Sequence, residues 1–156
     1  ITGESRDVAK VFAALVREIR QYGQPWKPPV ALISGGETTV ALCGNGHGER
    51  SGVSGMNPGG RGGRNTEFLL SLAIELTGVA GIPPLACDTG GIDGSESNAG
   101  AIMASDSIHR AKQMGISAQA LLASHNAYTF FEQLDDLVLT GPTRTNVNDY
   151  RVILVL

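Results

Sequence analysis

The residues best equipped for chemistry sit at the end of a glycine-dense run. Nine of the twenty positions from Gly44 to Gly63 are glycine, and the run closes as GGRGGRNTEF, residues 59–68. Gly62 and Gly63 let the backbone approach a ligand closely. Consecutive exposed N–H groups there form an anion nest. A helix beginning at Asn65 adds unpaired N–H groups and a positive dipole end. Arg61 and Arg64 supply planar forks of donors suited to phosphate or carboxylate. The features favour an anionic ligand, with a surface loop bearing solvated arginines as the plain alternative. The loop is not a Walker A, because no GKS or GKT follows the glycines. It also lacks the preceding strand and glycine spacing of a dinucleotide fingerprint.

Three further stretches carry polar groups. In SGGET (34–38), Ser34, Gly35, Gly36 and Glu37 form either a plain turn or a second anion cradle. The pattern is not the G-x-S-x-G of a nucleophile elbow. In DTGGIDG (88–94), Asp88 and Asp93 lie five apart across glycines. They suit a shared Mg²⁺, which takes few carboxylates and completes its shell with water and phosphate. Asp93 alone suits a base toward a substrate hydroxyl. Capping and Asx-turn work is the other use of such residues. In TGPTRTNVND (140–149), Thr145, Asn146 and Asn148 offer hydroxyls and amides to a ligand or brace the loop, and Arg144 is a third anion contact. His47, His109 and His125 form no ligand pattern, and no Cys–His spacing fits zinc.

The elements that must place these groups are legible as alternating helices and short apolar strands. Residues 4–22 read as a helix, with Val8, Val11, Phe12, Leu15 and Ile19 on its apolar face and Gly23 and Pro25 ending it. VALIS (30–34) reads as a strand covered on both faces. GGET (35–38) reads as a tight turn leading into a second strand, TVALC (39–43). A helix over 65–78, capped by Asn65, carries Phe68, Leu69, Leu72, Ala73 and Leu76 inward, with Glu67 in its acid-favouring first turn. PPLACD (83–88) is a strand. Ser105, Ser117 and Asn126 are placed to cap three short helices, the first over 106–114, the others ending at Ala123 and Leu134. DLVLT (136–140) and YRVILVL (150–156) are strands, the last central and paired with VALIS or LACD. The fold class is α/β: a layered mixed sheet flanked by helices, with glycine-rich loops at strand ends where ligands bind.

Composition bounds the rest. A chain of 156 residues is one domain and needs no metal or disulfide staple. Aromatics are 5%, so Leu, Val, Ile and Ala must fill the core, while Trp26 beside prolines reads as a packing residue. Net charge is −3 and the 12 Lys and Arg are scattered, which argues against a nucleic-acid face. No apolar run spans a membrane and no signal core opens the chain. Cys43 and Cys87 read as reduced and buried, and a cytoplasmic location is expected. The absence of an initiator Met suggests a processed or truncated product.

At this point PPVALISGGETTV (28–40), GGRNTEFLLSLA (62–73), ACDTGGIDG (86–94), AGAI (99–102) and TGPTRTNVNDYRVILV (140–155) together resemble the MOFRL-type glycerate 2-kinases, also described as hydroxypyruvate reductases. The resemblance covers nearly the whole chain. It implies transfer of the ATP γ-phosphoryl group to D-glycerate, giving 2-phosphoglycerate, with Mg²⁺ or another divalent metal. It implies two α/β domains with the site in their cleft. This chain corresponds to the C-terminal one, residues 1–156, and the N-terminal domain, which carries a lysine-bearing part of the site, is absent from it.

By resemblance, Arg64, the arginine of the GGRN string, is the leading candidate for a substrate or phosphate contact, and Asn65 and Glu67 fall in the same string. Glu37, Asp88, Asp93, Thr145, Asn146 and Asn148 fall in matching strings. Thr66 stands where Gln is commoner, Gly90 replaces an Asp, and the loop before GGRN is longer than usual. The isolated chain is expected to turn over little or nothing. A homodimer is left open. So are two other functions, NAD(P)H-dependent reduction of hydroxypyruvate and a non-catalytic anion-binding or assembly role.

Overall fold

The computed structural model describes residues 1–41 and 60–156, so Cys43 and the expected loop and strand positions within 42–59 lie outside it. The elements are β1 (Thr2–Glu4), α1 (Ser5–Tyr22), β2 (Val30–Thr39), α2 (Arg64–Glu75), β3 (Pro84–Asp88), β4 (Gly100–Ile102), α3 (Ser107–Gln113), α4 (Ala118–Ala123), α5 (Ala127–Gln133), β5 (Leu137–Val138) and β6 (Asp149–Val155). They build a six-stranded sheet in the order β1-β2-β6-β3-β4-β5. The sheet is mixed: β1 and β2 run parallel, and every other pair is antiparallel. The terminal strand β6 is central and pairs with both β2 and β3.

The largest departure from the sequence reading is β2. It does not turn at GGET but runs unbroken from Val30 to Thr39, so the expected hairpin is replaced by one ten-residue strand. Its glycines serve close approach instead. Gly36 has φ +129°, and a Cβ there would lie 2.1 Å from the Ile1 carbonyl oxygen. That carbonyl accepts the Glu37 N–H at 3.0 Å, which fixes β1 against β2. Short strands β1 and β4 were not foreseen, because three residues carry no periodicity to read.

All the helices contribute to one buried core on one face of the sheet, where Leu32, Ala86, Ala101, Ile153 and Val155 point. Helix α1 buries Ala9, Ala13, Val16 and Ile19, a stripe rotated from the expected one, and leaves Val11 exposed. Helix α2 packs on α1 and takes the bulk of the burial. Residues Asn65 to Ala73 are all buried, the pattern of a helix enclosed on every side. Phe68, Leu69, Leu70 and Leu72 are completely buried, each contributing about 1.5–3 kcal/mol. Phe12 meets Phe68 edge-on at 5.7 Å between centroids.

Gly23 and Gly115 adopt the positive φ expected after α1 and α3, and Ser117 caps α4 by accepting the Ala120 N–H at 3.2 Å. Helix α3 starts later than expected, at Ser107 with Asp106 as its cap residue in place of Ser105. Trp26 is 51% exposed and does not pack into this core, which the Leu, Ile, Val, Ala and Phe side chains already fill. The strand expected at 30–34 is covered on one face only, since Ala31 and Ile33 point away from the helices and stay exposed.

Candidate functional site

At one end of the sheet, three inward-facing positions line up across neighbouring strands: Gly36 on β2, Asp149 on β6 and Asp88 on β3. Two carboxylates side by side repel unless a cation lies between them. Arg64, the first residue of α2, supplies it. Its Nε donates to Asp149 Oδ1 at 2.7 Å and its Nη2 donates to Asp88 Oδ2 at 2.6 Å. Burial works to lower the Arg64 pKa, but the hydrogen bond and charge of Asp149, with the charges of Asp88 and Asp93, raise it above its ordinary value. The side chain is 22% exposed, and among the described residues its Nη1 group takes no partner.

Behind Arg64, the first turn of α2 is closed by Asp93, which reaches it from the loop after β3. Asp93 Oδ1 accepts the Asn65 N–H at 3.0 Å and Asn65 Nδ2 at 3.1 Å. Its Oδ2 accepts the Thr66 N–H at 2.9 Å and Thr66 Oγ1 at 3.1 Å. The cap residue itself is Gly63, not Asn65, and Gly63 N–H donates to Thr66 Oγ1 at 3.1 Å. A Cβ on Gly63 would lie 2.4 Å from the Asp93 carbonyl, so only glycine lets the loop and helix meet. The anion held at this helix start is therefore Asp93 itself. Asp93 is completely buried, and that burial pushes its carboxyl pKa up against the opposing hydrogen bonds from Asn65 and Thr66.

Asp149 is the hub of the cluster and was missed in the sequence. Besides Arg64, it accepts from Asn65 Nδ2 at 2.9 Å, from the Thr38 N–H at 3.3 Å and from Arg151 Nη2. Arg151 is wholly buried beneath the Phe68 ring at 5.0 Å and also donates to Thr38 Oγ1 at 2.7 Å. Burial lowers its pKa and Asp149 opposes that. The available signal was the i, i+2 spacing of Asp149 and Arg151 in an otherwise apolar strand, which puts both charges on the face that carries Ile153 and Val155.

Two loops flank Arg64 and are tied together. The Asn148 carbonyl accepts from the Thr89 N–H at 3.0 Å and Thr89 Oγ1 at 2.8 Å, and Val147 N–H donates to Thr89 Oγ1 at 2.8 Å. Thr143 N–H donates to the Gly90 carbonyl at 3.2 Å, and Gly90 N–H donates to Asp88 Oδ1 at 2.6 Å. Thr145, Asn146 and Asn148 are exposed on this rim, with Asn146 Oδ1 accepting the Asn148 N–H at 2.8 Å. Asn65, Asp88, Asp93, Gly62, Gly63 and the loop amides thus gather around Arg64.

Other expected site residues point elsewhere. Glu67 is buried away from Arg64, where its Oε1 accepts from Arg6 Nε at 3.0 Å and lies 3.0 Å from His125 Nδ1. Arg61 pairs with Glu96 and Glu132 at 3.2 Å each and lies over the Tyr128 ring. Ser34 places its Oγ in the interior two residues along β2, while Gly35 and Glu37 are exposed on the opposite face.

The carboxylates do not fit a metal ion. Both oxygens of Asp93 and Asp149, and both of Asp88, already accept from the chain. Among the described residues no group of three His, Cys, Asp or Glu side chains is placed to hold one. What the cluster can do is hold one guanidinium, 22% exposed, at a sheet end beside two polar loops, with one donor group unpaired among the described residues.

Comparison with known proteins agrees with this architecture. Residues 30–149 match the model of the MOFRL family. A protein of Agrobacterium vitis whose name proposes a hydroxypyruvate reductase is 47% identical over 99% of this chain and 33% of its own length. The glycerate 2-kinase of Pyrococcus horikoshii is 34% identical over 99% of this chain and 32% of its own. The crystal structure of glycerate kinase from Thermotoga maritima superposes with a TM-score of 0.87 at 34% identity, covering 100% of this chain and 34% of that one. The chain spans about a third of the length of the curated relatives it matches. It belongs to the MOFRL family, on a match that takes in most of its length and every strand from β2 to β5.

Proposed function

We propose that this domain forms one side of an active site for ATP-dependent phosphoryl transfer to D-glycerate, giving 2-phosphoglycerate and ADP. The observation that carries the reading is Arg64, clamped by Asp88 and Asp149, partly exposed, and left with one donor group unpaired among the described residues. The kinase names of relatives and of a solved structure of the same fold support it. In the reaction the C2 hydroxyl oxygen of glycerate bonds to the γ-phosphorus, the bond from that phosphorus to the ADP oxygen breaks, and the hydroxyl proton passes to a base or to solvent.

Such transfer needs positioning and charge stabilisation more than covalent catalysis. A preorganised guanidinium costs no reorganisation when charge develops. Arg64 grips the glycerate carboxylate or the transferred phosphoryl group, and Thr145, Asn146 and Asn148 offer hydrogen bonds at the rim. Asp93 holds α2 in place and is a positioning residue. The carboxylates here are committed to the chain, so the divalent metal that would supply charge neutralisation in this chemistry would have to be held by the nucleotide phosphates and by groups outside this cluster. The lysine-bearing domain lies on polypeptide beyond these residues, and a cytoplasmic location goes with the reading. Among the described residues no helix is long and apolar enough to cross a membrane.

The test is 2-phosphoglycerate formation by the full-length gene product with ATP, Mg²⁺ and D-glycerate. Absence of glycerate-dependent turnover sinks the reading. The relative named for hydroxypyruvate reduction favours a second one, and NAD(P)H oxidation with hydroxypyruvate separates the two.

A further inference from the structure

On the face away from the helices, β2, β6, β3 and β4 carry a run of apolar residues, and among the described residues that face is left uncovered. On the open face, Ile33, Val152, Leu85 and Ile102 stand in register across the four strands. Beside them runs a second row, Gly35, Tyr150, Cys87 and Gly100. Ala31 and Leu154 extend the surface by one more pair. Ile33 is 65% exposed, Ile102 47% and Tyr150 44%. No charged side chain lies in these rows. Four strands at their usual spacing make the apolar strip about 15 Å wide. A sheet with one wet face alternates apolar and polar residues, whereas continuous runs such as VALIS and VILVL belong to sheets covered on both faces.

We infer that this face is the seat of further polypeptide of the same protein, an apolar side of a helical layer. Chain length in the relatives selects that occupant. The relatives share with this chain only 32% to 37% of their own length, so some two thirds of their chain is available to cover the second face. A helical layer on each face is how sheets of this composition are completed. The inference rests on the part of the proposed function that gives this domain a partner on its own polypeptide, and not on phosphoryl transfer.

Photo-crosslinking in the full-length gene product tests it. Ile33→p-benzoylphenylalanine puts the probe in the middle of the open face, and Val11→p-benzoylphenylalanine puts a control on exposed α1. The expected result is a cross-link from position 33 at monomer mass, independent of protein concentration, to a peptide outside these 156 residues, with none from position 11. Three results overturn it: a cross-link of doubled mass to a second copy, a folded protein that gives no cross-link at position 33, and a gene product with no residues beyond these. If the position-33 probe disturbs folding, Ile102→p-benzoylphenylalanine reads the same row. Glycerate turnover measured on the unsubstituted protein reports separately. Its absence with the cross-link present sinks the phosphotransfer reading and leaves this one standing.

Discussion

Removing the Asp149 carboxylate should be among the most damaging changes available to this domain. Its side chain is completely buried, and it accepts four hydrogen bonds, from Arg64, Asn65, Thr38 and Arg151. In Asp149→Ala, Arg151 keeps only the Thr38 hydroxyl and the Phe68 ring, with its guanidinium wholly buried and no carboxylate hydrogen-bonded to it. Stranding a buried charge in this way costs about 3–5 kcal/mol. Against a usual total of about 5–15 kcal/mol, that is a large fraction of the stability. Asp149→Asn keeps the shape and one acceptor but loses the charge, so it should cost less, about 1–3 kcal/mol. Arg151→Met removes the stranded cation, so the double variant Asp149→Ala with Arg151→Met should lose less than the two single losses added together. Urea unfolding followed by circular dichroism reads all four proteins. Because the pair is buried, the Asp149→Ala loss should persist in 1 M salt. A loss under about 1 kcal/mol, or strict additivity in the double variant, would refute the view of Asp149 as the hub.

Other outcomes follow from the same geometry. Arg64→Lys should keep the fold yet lower kcat/KM about 100-fold or more, because an ammonium cannot bridge two carboxylates and still face a ligand as the fork does; near-normal kinetics would remove Arg64 from the site. Gly63→Ala should destabilise the protein, since its Cβ would lie 2.4 Å from the Asp93 carbonyl, and an unchanged unfolding midpoint counts against that contact. Burial, with Asp93 and Asp88 nearby, pushes the Cys87 thiol up to about 12. Its alkylation rate should therefore rise about tenfold per pH unit from pH 8 to 10 with no plateau, and a plateau near pH 9 would contradict it. Folded Asp93 holds its proton to higher pH than the unfolded chain does, so it favours folding most below the unfolded carboxyl pKa. That contribution fades as pH rises through the folded value, and Asp93→Asn should flatten this stretch of the stability curve.

Elements with many residues of one period were readable in the sequence: α1, the core of α2, β3 and β6. The glycines were harder, because a glycine that permits a turn and one that permits a neighbour's close approach look alike. Gly35 and Gly36 read as a turn and proved to be strand, with Gly36 held open for Ile1. In the site, Arg64 and Asp88 were legible as a cation and a carboxylate near strand ends. Their clamp was not, because Asp149 lies 85 residues from Arg64 and pairing at that distance leaves no local pattern. The same limit applies to Glu67, whose partner Arg6 is 61 residues away, and to Arg61, whose partner Glu96 is 35 away. Capping was one open use of Asp93, and the helix that it caps lies across the fold rather than next to it in sequence.

That remote cap also bears on the order in which the chain acquires its structure. The first turn of α2 gets its acceptors from Asp93, 28 residues on, and from Asp149, 84 residues on. Neither can arrive until the β3 loop has closed and β6 has entered between β2 and β3. The apolar body of α2 can pack on α1 early, since those contacts ask only for burial. Its N-terminal turn must wait for loops of high closure entropy. Changes at Asp93, Asp149 or Arg64 should therefore speed unfolding far more than they slow folding, with φ-values near zero, while changes at Phe68 or Leu72 should slow folding. The end of the sheet that carries the Arg64 cluster should be the part of the molecule that locks last and opens first.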